Sequence, residues 1–167
     1  MNDGLGTNWN KIDSFPVLSY KLFNMDQNNV IRVAMIGPAC VGKTEILRRL
    51  SGQRFRAAYF PTMGSETWSV ELPGCRFLVT EYSGQEQLRY VPQAELDAIS
   101  AYIVVTTNSR VLTRAAKKLA KKMPDNIPHC TVINGYDIPE HMCCDAKNMT
   151  NLEAPFYFIA HWYENNR

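Results

Sequence analysis

Long apolar runs are missing from these 167 residues, and no stretch approaches the length needed to span a bilayer. The opening Met1-Asn2-Asp3-Gly4 is polar, without the basic and apolar blocks of a secretory leader. Excess charge is missing too. Eighteen Lys and Arg against sixteen Asp and Glu leave a net +2, too even a balance for binding nucleic acid by bulk electrostatics. The five cysteines are odd in number and lack framework spacing, so they read as reduced thiols and not as disulfide staples. These absences predict an intracellular protein, cytoplasmic with the nucleus also open, that does not bind nucleic acid directly. Asn148-Met149-Thr150 is then an idle glycosylation sequon. No prenylation cysteine closes the sequence, so no lipid anchor is expected.

What is present is ordinary for one folded domain: 46% apolar and 20% charged residues. Its most informative stretch is the β-branched run at 30–36 leading into Gly37-Pro38-Ala39-Cys40-Val41-Gly42-Lys43-Thr44, followed by helical spacing at 45–50. Strand, GxxxxGK[ST] loop and helix in that order form a phosphate cradle. Gly37 and Gly42 let the backbone approach, so the N–H groups of Ala39, Cys40, Val41 and Gly42 can face an anion. Lys43 supplies a point charge to the β- and γ-phosphates, and the Thr44 hydroxyl suits Mg²⁺. The plain alternative, a Gly-rich turn, does not explain the lysine and the hydroxyl together.

Residues 1–28, rich in Asn, Asp and Gly, read as a partly disordered extension with an apolar patch at 15–23. The domain proper is expected at 29–167. A first helix should stop near Leu50-Ser51-Gly52. Strand-like runs at 67–72 and 75–80 flank Pro73-Gly74 and predict a hairpin. Pro92 opens a short helix, and 101–105 reads as a buried strand. Leu112, Ala115, Ala116, Leu119 and Met123 recur at helical spacing opposite Lys117, Lys118, Lys121 and Lys122. Those lysines could bind phosphate or direct nuclear import, but their spacing favours a solvated helix face. Strands follow at 129–133 and 156–160. The pattern predicts an α/β fold: a mostly parallel sheet, helices on both faces and one antiparallel edge hairpin. His129, Cys130, His141, Cys143 and Cys144 fit no standard zinc spacing.

In this order the elements resemble the Ras-like small GTPases, a P-loop NTPase family, over about 30–163. Leu50-Ser51-Gly52 with Tyr59, Thr62, Gly64 and Glu66 is similar to the first switch of the Ran and Rab branches. Asn108-Ser109-Arg110-Val111 and Asp125-Asn126-Ile127-Pro128 resemble segments of Ran. The resemblance implies a GTP/GDP switch with Mg²⁺, worked by Ran/Rab-type regulators and effectors. Thr62 then closes over the metal and the γ-phosphate, Glu81 stands at the metal-side carboxylate of DxxGQ, Gly84 offers its N–H and Gln85 orients water. Asn134 and Asp137 match the ends of NKxD, and Ala160 matches the alanine of SAK. A carboxylate at Asp137 would accept from guanine N1–H and its exocyclic amine, whereas adenine presents an acceptor at N1.

There are departures from the family. Glu81 replaces Asp, Gly135 the lysine of NKxD, Ile159 and His161 the ends of SAK, and Ala39 a common glycine. Each lost hydrogen bond is worth about 0.5–1.5 kcal/mol, which predicts nucleotide affinity about 10 to 100-fold weaker. The chain also looks too short for the family's last helix, leaving a sheet face for 15–23 or a partner to cover. Two functions remain: a GTP switch with slow or activator-dependent hydrolysis, and a degenerate G domain that binds nucleotide statically and competes for regulators or effectors.

Overall fold

β1 (Val30–Ile36) buries Val33, Ala34, Met35 and Ile36 in succession, as a strand covered on both faces must. The structure, a computed structural model, describes residues 30–84, 91–136, 138 and 141–166. After β1 come α1 (Lys43–Leu50), β2 (Ser65–Leu72), β3 (Cys75–Tyr82), α2 (Gln93–Asp97), β4 (Ala101–Thr106), α3 (Arg110–Ala120), β5 (His129–Asn134), β6 (Cys143–Cys144) and α4 (Ala154–Asn165). The six strands lie in the order β2-β3-β1-β4-β5-β6. All neighbours are parallel except β2 and β3, whose hairpin forms one edge and pairs Leu72 with Cys75 at the tip. This is the α/β architecture that the alternation of strand and helix patterns predicts.

Period-two side chains divide the core. Val33 and Met35, Phe77 and Val79, Ile103 and Val105, and Val132 meet Ile46 and Leu47 of α1 and Phe156 and Ile159 of α4 on one face. Ala34, Ile36, Tyr102 and Val104 meet Ala116 and Met123 on the other, with Leu96 and Leu119 packed alongside. α3 starts at Ser109, whose hydroxyl accepts from Leu112 N–H, and its exposed side carries Lys117 and Lys118.

Two expectations are overturned near the C-terminus. The strand predicted at 156–160 is the first half of α4. Pro155 sits in the first helical turn, and Phe156, Ile159 and Ala160 are buried while His161 is exposed, a period of three to four in place of two. The aromatic and branched composition suggested a strand; burial at i, i+3 and i+4 decided otherwise. The sheet face expected to lack its helix is therefore covered by α4. Phe156 packs edge-on against Phe77 with ring centroids 5.3 Å apart, and Tyr163 Oη donates to Ser100 O at 2.6 Å. Residues 15–23, proposed as that cover, lie outside the described residues.

The sixth strand is the two-residue β6, beside β5. Ile133 N–H donates to Met142 O and Gly135 N–H to Cys144 O, which fixes the turn that follows at the sheet's carboxyl end.

Candidate functional site

Parallel strands deliver their following loops to one end of a sheet. Here the loops after β1, β3, β4, β5 and β6 line one cleft of about 660 Å³, together with loop 55–62. The loop 37–42 runs along it. Gly42 has φ +87°, and a Cβ there would overlap Asn134 Nδ2, so glycine is needed for both conformation and space. Val41 is buried and takes part through its backbone. Cys40 is exposed with φ 64°, and half-buried Ala39 faces the cleft.

Lys43 is 5% exposed, and its Nζ donates to Gly37 O and Pro38 O, both at 3.0 Å. Burial pushes the ammonium pKa down, while the Glu81 carboxylate pulls it back up. A buried cation held over a glycine loop is poised for an anion. Beside it, three oxygen-bearing side chains converge from separate elements. Thr44 Oγ1 donates to Glu81 Oε1 at 2.6 Å and lies 3.0 Å from Thr62 Oγ1, which is 3.3 Å from the same carboxylate oxygen. Glu81 is 1% exposed, and its Oε2 is buried without a partner. Desolvation raises the Glu81 pKa, against hydrogen bonding from Thr44 and the charge of Lys43. Hard oxygen donors with one orphaned carboxylate oxygen fit Mg²⁺. Among the described residues no group of three or more His, Cys, Asp or Glu could hold a metal.

Asn134 joins three loops. Its Nδ2 donates to Val41 O at 3.0 Å, and its Oδ1 accepts from Ala146 N–H at 3.2 Å and Cys144 Sγ at 3.7 Å. Asp145 closes the turn after β6, accepting from Lys147 N–H, Asn148 N–H and Asn148 Nδ2. Its slight burial would raise its pKa, but the bonds from Asn148 and Lys147 prevail and lower it. Asn134→Ala should remove this brace and lower unfolding stability by about 2 kcal/mol. A urea midpoint that does not move would show the brace to be idle.

The cleft brings together Ala39, Cys40, Val41, Gly42, Lys43, Thr44, Thr62, Glu81, Gly84 and Asn134. Gly37 reaches it through the carbonyl that holds Lys43. Ala160 does not belong. It is wholly buried in α4, with Ile159 and His161 on the same helix, so the SAK match at 159–161 fails. Asp145-Ala146-Lys147 stands there in its place, with all three residues on the cleft wall. The signal was the order Ala-Lys after a buried Met142-Cys143-Cys144 run, too short for strand reasoning to find. Gln85 and Asp137 lie outside the described residues.

A model of the ADP-ribosylation factor (Arf) family matches residues 18–149. The chain belongs to the Arf family. Its place among the Ras-like small GTPases thus stands, but the branch is Arf and not Ran or Rab. No curated protein matches it. The Arf match begins at residue 18, inside the stretch read as an extension, and ends just after Ala146-Lys147, before α4. Membership makes this chain a small GTPase-like, GTP-binding protein of the P-loop kind. The cradle around Lys43 and the brace around Asn134 both lie within the matched residues.

Proposed function

We propose that this Arf-family chain is a Mg²⁺-dependent GTP/GDP switch whose hydrolysis is slow or needs an activator. The observation that supports it best is the meeting of Thr62, Thr44 and Glu81 beside Lys43. It gives loop 53–64 a direct stake in what occupies the phosphate end of the cleft. Lys43 binds the phosphoryl oxygens, and the 37–42 backbone orients them. Thr44, Thr62 and Glu81 would hold the ion, which when bound supplies positive charge to the transferring phosphoryl. Gln85 is assigned the orienting of water, and Asp137 the choice of guanine. Because Ala146 and Lys147 take the places assigned to Ala160 and His161, the affinity penalty expected from the latter position drops out. Glu81, Gly135 and Ala39 remain as departures.

Exposed Tyr59, Phe60 and Met63 on the loop offer regulators and effectors a surface that changes with the nucleotide. We place the protein inside the cell, in the cytoplasm with the nucleus also open, without direct nucleic-acid binding. Nucleotide extracted from natively purified protein should be GDP or GTP, and titration should favour GTP over ATP at least a hundredfold. A preference for ATP would refute the reading.

A second reading, a static nucleotide binder that competes for regulators or effectors, draws on the Glu81 side chain. Its extra methylene sets the carboxylate directly on the Thr44 hydroxyl, a bond that metal entry must rearrange. Single-turnover GTP hydrolysis separates the two readings. Gln85→Leu should slow it about tenfold or more in a switch, and not at all in a static binder.

A further inference from the structure

Glu45 follows Thr44 in the first turn of α1 and uses both carboxylate oxygens on other residues. Oε2 accepts from the backbone N–H of Arg56 at 2.9 Å. Oε1 forms ion pairs at 3.4 Å with Arg56 Nε and with Arg48 Nε. One side chain therefore hydrogen-bonds the main chain of Arg56 and ion-pairs with its guanidinium. The Cζ of that guanidinium lies over the Phe60 ring, 4.5 Å from its centroid. Six residues after Arg56, Thr62 is held by Thr44 and Glu81. Consecutive residues of α1 thus hold two points of the loop, and only Thr44 does so through the metal corner.

We propose that Glu45 is a positioning residue: it pins the loop at Arg56 whatever the cleft contains, so that only the part beyond Arg56 moves and Thr62 is returned to Thr44 and Glu81. The proposal rests on the GTP/GDP switch reading for its consequence, but not for the clasp itself. A main-chain hydrogen bond to a charged acceptor holds a loop in a way that a surface ion pair alone does not. The half-buried guanidinium, shared between Glu45 and Phe60, also sets the direction of one exposed aromatic that a partner would meet.

The test uses the full chain, as wild type, Glu45→Ala and Glu45→Gln, and reads two quantities. Tryptic cleavage after Arg54 and Arg56 in nucleotide-free protein should be about tenfold faster in Glu45→Ala. Release of a fluorescent GDP with Mg²⁺ present should quicken by a similar factor. Glu45→Gln keeps a neutral acceptor for the Arg56 N–H, so it should recover part of both effects, which a mere loss of helix stability would not. Cleavage and release rates equal to wild type in both variants would overturn the clasp. If Glu45→Ala does not fold, the same rates for Glu45→Gln decide, with wild-type values again overturning it. Wild type that binds no guanine nucleotide would instead refute the switch reading, and the cleavage comparison would still decide the clasp.

Discussion

Lys43→Ala is expected to weaken GDP binding by about 10² to 10³-fold. In the structure the ammonium is almost wholly buried, held by two loop carbonyls and faced by Glu81. Removing one partner of a desolvated charge-assisted contact costs about 3–5 kcal/mol, and 1.4 kcal/mol is a factor of ten. The effect should fall on binding far more than on folding. Without ligand the same ammonium bears the cost of burial with only carbonyl dipoles and one carboxylate to offset it, so its loss is nearly neutral for the unfolding midpoint. Calorimetric titration with Mg²⁺·GDP beside urea unfolding measures both. An affinity loss under threefold would mean that the ammonium does not reach the phosphates.

Phe156→Ala should destabilise the fold by about 3–5 kcal/mol and Ile159→Ala by about 2–5 kcal/mol, whereas His161→Ala should stay within about 0.5 kcal/mol. Phe156 and Ile159 are both fully buried against the sheet, with Phe156 edge-on to Phe77, while His161 is exposed. The trio tests the correction to the last element. A strand turns neighbours three apart to opposite faces, so one of Phe156 and Ile159 would be tolerant; a helix puts both inward. Equilibrium unfolding distinguishes the two patterns. A mild Ile159→Ala would contradict α4 as described.

Some elements could be read in advance because their signals are local. The phosphate loop needs two glycines, a lysine and a hydroxyl at set spacing, whereas Thr62 and Glu81 were named only through the family resemblance. Pro73-Gly74 announced the hairpin, and the apolar stripe from Leu112 to Met123 announced α3. Asn134 was found as the end of a strand pattern, but its work was not. Its bonds to Val41, Ala146 and Cys144 join segments far apart in the chain, and no local pattern contains them. The Ala-Lys pair at 146–147 was missed for a related reason. β6 is two residues long, and it is a strand only because β5 lies beside it.

Glu45 shows the same division within one residue. As a carboxylate in the first turn of a helix it is unremarkable from sequence, being favourable to the helix dipole. Its grip on Arg56 follows from where the loop folds back.

Residue order alone settled the α/β alternation and the phosphate-loop pattern, since each depends on side-chain type at short separation and on backbone periodicity; the small-GTPase kinship came from resemblance to known motifs in order. Folding in three dimensions decided that 154–165 is a helix and which Ala-Lys pair meets Asn134. It also decided that Thr44, Thr62 and Glu81 share one corner. Those outcomes turn on which faces are buried and which distant loops meet at the sheet's carboxyl end, a matter of packing that no window of sequence contains.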